Sequence, residues 1–154
     1  MDEKGVKMLE YLFFRIGGYF EGNKVLLMCN QGGQLSLDYY ELSRRNSVSI
    51  PHYSATWTKQ RSKRWISKFA ALHCEEWKDQ YCDYSILDGT QWELRYRLEG
   101  QDERRISGSN AYPENWDSYL RWISDTVHKL PVKENIDVDQ AVNVVIKLTS
   151  VIKR

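Results

Sequence analysis

Apolar and polar residues alternate strictly over residues 91–98 (QWELRYRL). In an extended chain Trp92, Leu94, Tyr96 and Leu98 fall on one side, and Glu93, Arg95 and Arg97 on the other. The same period of two sets Leu35, Leu37 and Tyr39 against Ser36, Asp38 and Tyr40 over residues 35–42. Residues 25–30 (VLLMCN) are continuously apolar up to their last position, the pattern of a strand buried in mid-sheet. Residues 9–20 (LEYLFFRIGGYF) are rich in aromatic and β-branched side chains and read as a further strand, with Gly17-Gly18 marking a bulge or bend near its end. The turn-forming runs EGNK (21–24) and QGGQ (31–34) join these three strands into an antiparallel meander.

Residues 43–56 (SRRNSVSIPHYSAT) form a polar connector, with a short edge strand expected at 48–50. The period then lengthens. Trp65, Ile66, Phe69, Leu72, His73 and Trp77 fall at helical spacing, and Thr56 or Thr58 stands where a capping hydroxyl is wanted. The helix is expected to run to about Lys78. Strand 91–98, the turn EGQD and the segment ERRISGS (103–109) make a hairpin, and Pro113 is placed in the first turn of a second helix. Trp116, Tyr119, Leu120, Ile123 and Val127 form its apolar stripe, with Pro131 just beyond its end. In the tail, Asp137 and Gln140 have the spacing of a capping box, and Val138, Ala141, Val142, Val145, Leu148 and Ile152 continue as a helical stripe. Val142, Val144, Ile146 and Leu148 also alternate as a β-branched strand would. The start signal favours the helix.

These elements predict an α+β fold: an antiparallel sheet of about five strands with two or three helices packed on one face, in the order β-β-β-α-β-β-α with a tail helix. Residues 1–154 make one domain, and 131–154 are a candidate helical appendage.

The run from Asp88 to Trp116 has a structural role at each position. Asp88-Gly89 is a turn pair, Trp92 is the largest inward side chain and its indole N–H needs a partner, for which a backbone carbonyl would serve, Gly108 allows a twist or a close backbone approach, and Asn110 suits an Asx-type bond ahead of Pro113. The segment ILDGTQWELRYRLEGQDERRISGSNAYPENWDSYL resembles a recurrent one in small uncharacterised bacterial proteins: a DGT-x-W-x-L strand, a partner strand ending G-S-N-A-Y-P, and an amphipathic helix. The resemblance extends to the upstream helix, from about Trp65 to Val127, and implies no catalytic activity.

Composition changes this picture little. With 42% hydrophobic and 28% charged residues the chain is an ordinary soluble globular one, and a net charge of +1 gives no global pull toward nucleic acid or anionic membrane. No apolar stretch is long enough to span a bilayer. The opening residues MDEKGVKMLEYLFF carry acids and lack a long apolar run, which argues against a secretory signal. Cys29, Cys74 and Cys82 form no CxxC pair, so reduced thiols and a cytoplasmic setting are expected. His73 beside Cys74 lacks the compact ligand spacing that zinc needs, GxSxG is absent, and GGYFEGNK is not a phosphate-binding loop. No cofactor, metal or catalytic residue is expected.

The outstanding charge feature runs from Arg44 to Lys68. Arg44, Arg45, Lys59, Arg61, Lys63, Arg64 and Lys68 are interleaved with Trp57 and Trp65. Arg44, Arg45, Trp57, Lys59, Arg61, Lys63, Arg64 and Lys68 are the candidate binding residues, for nucleic-acid phosphate or an acidic protein. The six Trp and ten Tyr favour a different use, a non-catalytic domain that binds another protein, as an inhibitor or immunity-type protein does. Tyr19, Phe20, Tyr39, Tyr40, Tyr53 and Trp57 are too many to be all core, and those left exposed would be its hot spots. Nucleic-acid binding through the basic stretch is the alternative, and an enzyme with a cryptic site a further one.

Overall fold

The computed structural model describes residues 7–18, 22–42, 53–86 and 89–130. They form an α+β fold built on one seven-stranded sheet. In chain order the strands are β1 (Leu9–Gly18), β2 (Gly22–Gln31), β3 (Gln34–Leu42), β4 (Tyr53–Thr56), β5 (Gln80–Cys82), β6 (Thr90–Leu98) and β7 (Arg104–Ser109). Helix α1 (Lys59–Ala70) follows β4, and α2 (Trp116–His128) follows β7. Across the sheet the order is β4-β3-β2-β1-β6-β7-β5.

The meander β1-β2-β3 forms where the turn chemistry places it. Gly32 and Gly33 both take positive φ, 62° and 94°, and close a two-residue hairpin in register Gln31↔Gln34. β1 then pairs with β6 in the centre, with Phe14 opposite Leu94 and Ile16 opposite Trp92. The alternating residues of β6 thus enter the same layer as those of the meander.

Two expectations about the sheet are corrected. It has seven strands rather than about five, and it is mixed, because β5 runs parallel to β7 with Tyr81 beside Gly108. The additional strands are the two edges, β4 with four residues and β5 with three. Neither is long enough to display a period, and both are held by tertiary contacts. Arg104 anchors the approach to β5 through an ion pair to Asp79 (3.0 Å) and a bond to the Glu75 carbonyl (3.1 Å). Short edges also limit strand pairing with other chains. The edge strand expected at 48–50 falls outside the described residues; β4 begins at Tyr53.

Both helices lie on one face. Thr58 caps α1, its hydroxyl accepting the Arg61 N–H at 3.2 Å. The buried Ser62 hydroxyl accepts the Leu35 N–H (2.9 Å) and ties the helix to the start of β3. α1 stops at Ala70, well short of Lys78. The chain turns through His73 in the left-handed region (φ 53°) into a single 3-10 turn, Cys74–Glu76. Trp77 therefore reaches the core from that turn, and His73 is exposed rather than on the helix stripe. α2 begins at Trp116, so Pro113 precedes the helix and its carbonyl accepts the Trp116 N–H (3.1 Å). Asn115, at the capping position, makes no capping bond. Its amide instead accepts from Trp77 Nε1 and donates to the Leu72 carbonyl, both at 2.8 Å, and so locks the turn after α1 to the start of α2.

The core between helices and sheet is dominated by aromatic rings. Trp92 and Trp116 lie 4.5 Å apart between centroids, Phe14 meets Tyr119 edge-on at 5.1 Å, and Phe69 bridges Tyr96 and Trp122. Leu26, Met28, Leu35, Leu37 and Leu94 fill the spaces between them, each fully buried. Burial of one such side chain is worth roughly 1.5–3 kcal/mol. Trp122 and Thr126 are buried on α2 in addition to the expected stripe. Thr126 Oγ1 accepts the Trp65 indole N–H and donates to the Trp122 carbonyl, both at 2.7 Å, which joins the two helices through a buried polar link.

Candidate functional site

The basic candidates separate into three groups. Arg44 and Arg45 lie outside the described residues. Trp57 is buried at 4% exposure and packs edge-on against Trp65 (5.0 Å), so it offers no face for stacking on a base. Lys59, Arg61, Lys63, Arg64 and Lys68 are brought together on the exposed side of α1, a helix without a single acidic residue. Two of these cations lie over indoles from outside: Arg61 over Trp57 at 5.5 Å and Lys68 over Trp65 at 4.6 Å, with Lys129 of α2 over the same Trp65 ring at 5.4 Å. The tryptophans thus belong to the core and the cations form its lid. Lys59 and Arg61 stand at the helix N-terminus, where positive charge opposes the macrodipole; Lys68 in the last turn complements it.

The aromatic candidates are also redistributed. Tyr39, Tyr40 and Trp57 are buried, Tyr53 is half-buried and stacks on Tyr39 (5.7 Å), and Tyr19 and Phe20 lie outside the described residues. Burial and the nearby Glu41 carboxylate push the Tyr39 phenol up to about 12. Among the described residues, the large apolar side chains that do reach solvent are Tyr84 (90%), Ile86 (45%) and Tyr112 (40%). Sequence reasoning missed them. Their signal was that they interrupt turn-forming stretches, Tyr84 and Ile86 after Asp83 and Tyr112 before Pro113, where no strand or helix period accounts for a bulky residue.

These three sit at one end of the sheet, on connections that the backbone holds side by side. Asp83 N–H bonds the Ser109 carbonyl (2.9 Å), Thr90 N–H bonds the Asn110 side-chain oxygen (2.8 Å), and Asn110 N–H bonds the Thr90 carbonyl (2.9 Å). Asn110 takes φ 57°, the left-handed position its short polar side chain tolerates. The Trp92 indole donates to the Ala111 carbonyl at 3.0 Å, and the Tyr112 ring lies 5.2 Å from Trp116. The connections that carry these side chains are thus hydrogen-bonded to one another and to the sheet at Asp83, Thr90 and Asn110.

Beside this end a groove of about 570 Å³ opens between the turn after α1, β5 and the approach to α2. Trp77, Tyr81 and Pro113 form its apolar wall, and Glu76, Lys78 and Glu114 its polar one. Exposed acids dominate the surroundings: Glu75, Glu76, Asp79, Glu114 and Asp117 against Lys78 and the half-buried Arg104. His73 bonds Glu75 at 3.0 Å, which holds its imidazole above the ordinary histidine range. A second groove of about 380 Å³ runs between α2 and the sheet, with Phe14, Leu26, Ile123 and Val127 in its wall and Lys24, Tyr39 and His128 as its titratable groups. Among the described residues no three His, Cys, Asp or Glu side chains are grouped to hold a metal, and no helix is long and apolar enough to cross a membrane. Cys74 is buried beside Tyr119 and Tyr96, and burial pushes its thiol far up, the opposite of an activated nucleophile.

No family model matches the sequence, and neither a curated protein nor a solved structure shows significant similarity to it.

Proposed function

We propose that the chain is a non-catalytic protein-interaction domain, of the kind that inhibitors and immunity proteins provide, and that its contact surface is the loop end bearing Tyr84, Ile86 and Tyr112. The observation that carries this reading is their exposure on connections pinned to the sheet by backbone bonds. Tyrosine offers a large contact area at a low conformational-entropy cost and is enriched among hot spots. The neighbouring acids Glu76, Asp79 and Glu114 supply a charged rim that favours a basic partner and speeds encounter. The test is affinity co-purification with the wild type beside a Tyr84→Ala/Tyr112→Ala variant of unchanged circular dichroism. A partner held by the wild type and lost by the variant supports the reading; equal retention by both overturns it.

Nucleic-acid binding by α1 is the second reading, favoured by its five exposed cations and lack of acids. It requires retention on heparin or DNA that weakens steeply with salt and falls in Lys63→Glu/Arg64→Glu. Retention that is absent, or indifferent to salt, removes it.

A further inference from the structure

The groove of about 570 Å³ beside the tyrosine-bearing loop end has two unlike sides. Leu72, Trp77, Tyr81 and Pro113 make the apolar one. Hydrogen bonds set its geometry. Trp77 Nε1 donates to Asn115 Oδ1 and Asn115 Nδ2 to the Leu72 carbonyl, both at 2.8 Å, and the Lys78 N–H donates to the Tyr81 hydroxyl at 2.9 Å. The wall is thus formed in the chain alone, and the volume falls within the range of ligand clefts, roughly 300–1,000 Å³. The other side is charged. Glu76 and Glu114 are exposed and make no ion pair or side-chain hydrogen bond. The cations around them are engaged elsewhere: Arg104 holds Asp79 and the Glu75 and Trp77 carbonyls, and His73 holds Glu75. Among the described lining residues Lys78 is the only lysine or arginine.

We propose that this groove receives an arginine side chain presented by a basic protein partner, with the aliphatic stem on Trp77, Tyr81 and Pro113 and the guanidinium at the Glu76 and Glu114 carboxylates. The inference rests on the protein-interaction reading above and adds to it the chemistry of the partner's anchor. Two carboxylates beside an apolar wall match a long apolar stem that ends in a cation. Arginine suits the site better than lysine. Its planar guanidinium forks onto carboxylates, and it is more weakly hydrated than an ammonium, so it loses its water at lower cost on entering a cleft. An acidic side chain is repelled by Glu76 and Glu114, and a purely apolar one leaves both carboxylates uncompensated. The partner's arginine then occupies the groove while Tyr84, Ile86 and Tyr112 meet the surface around it.

The probe is a blocked tripeptide, acetyl-Gly-Arg-Gly-amide, titrated into the full chain and followed by the indole N–H signals in proton–nitrogen correlation spectra, with Trp77→Phe identifying the Trp77 signal. A saturable shift of that signal in the millimolar range is expected, weakened roughly five-fold in Glu76→Gln/Glu114→Gln. The citrulline peptide, of the same shape but uncharged, should leave the signal in place. No saturable shift, an equal response to citrulline, or equal affinity in the glutamine variant overturns the proposal, and a lysine peptide that binds more tightly overturns the choice of arginine. Salt-sensitive self-association lost in Arg61→Ala/Arg64→Ala assigns the groove to a second copy and overturns it too. Neither Tyr84 nor Tyr112 lines the groove, so Tyr84→Ala/Tyr112→Ala should bind the peptide as the wild type does. Failure of the peptide while the co-purified partner is still lost with the tyrosines overturns the groove and leaves the interaction reading standing. A peptide that binds to a chain whose partner is indifferent to the tyrosines supports the groove and removes their role.

Discussion

Replacing Gly108 by alanine tests the packing logic of the frame, because backbone and contact arguments predict opposite signs. Gly108 lies inside β7 with an ordinary extended backbone, so local propensity alone makes alanine the better residue by about 0.5–1 kcal/mol. The contact argument is unfavourable. A methyl group there would lie 2.1 Å from Trp92 Nε1 and 2.3 Å from Cε2, against an optimal carbon contact of roughly 3.5 Å. The indole must withdraw by more than 1 Å, roughly the difference between those distances. It cannot do so freely: Trp92 is 1% exposed, with Trp116 4.5 Å and Trp77 6.1 Å away between ring centroids. Overpacking of this kind costs about 1–3 kcal/mol. Withdrawal also breaks the bond to the Ala111 carbonyl, worth about 1 kcal/mol. After the propensity gain is subtracted, the net expectation is a loss of about 1–3.5 kcal/mol, or roughly 0.5–2 M in the urea midpoint for a slope near 2 kcal/mol/M. Urea titration followed by tryptophan fluorescence measures it. Trp92→Leu in the Gly108→Ala background should recover part of the alanine penalty in a double-mutant cycle, since the clashing ring is gone. A midpoint that is unchanged or raised by Gly108→Ala alone would refute the reasoning.

Thr126→Val keeps shape but removes the acceptor of the Trp65 indole; it should cost about 1–3 kcal/mol in the same titration, more than Thr→Val at the exposed Thr58, where the lost cap is worth about 1 kcal/mol. Tyr39 and Tyr96 both titrate near 12, chiefly through burial, above the ordinary phenol value of 10. The folded state therefore holds their protons more tightly than the unfolded one, so their contribution is complete below pH 10 and is lost as pH rises from 10 to 12. Midpoints measured across that window should fall, and Tyr39→Phe should flatten the fall; a flat profile in the wild type counts against the burial of these phenols. A thiol reagent should modify the exposed Cys82 rapidly and Cys74, at 1% exposure, only on the timescale of global opening; equal rates by mass spectrometry would contradict the placement of Cys74.

What the sequence by itself determined was the set of long elements and the inward row of each. β1, β2, β3 and β6 have nine or ten residues, enough for a period of two to show, and their turns carry glycine where positive φ is required at Gly32 and Gly33. A threonine cap, at Thr56 or Thr58, and a backbone carbonyl for the Trp92 indole were legible for the same reason: each is a demand of local stereochemistry. The structure chooses Thr58, and at Gly108 it brings up the Trp92 ring rather than the backbone that was expected. Only the tertiary structure decided what depends on residues distant in sequence. β5 exists because Asp79 and Glu75 meet Arg104, and its three residues run parallel to β7, which no local pattern encodes. α1 ends at Ala70 although apolar residues continue at helical spacing to Trp77, because Trp77 gains a bond to Asn115, thirty-eight positions on, by leaving the helix. The candidate surface moved for the same reason. Aromatic content could not distinguish Tyr40, fully buried in the sheet, from Tyr84, left outside; exposure is a property of what packs above a residue, and packing is decided by the whole fold.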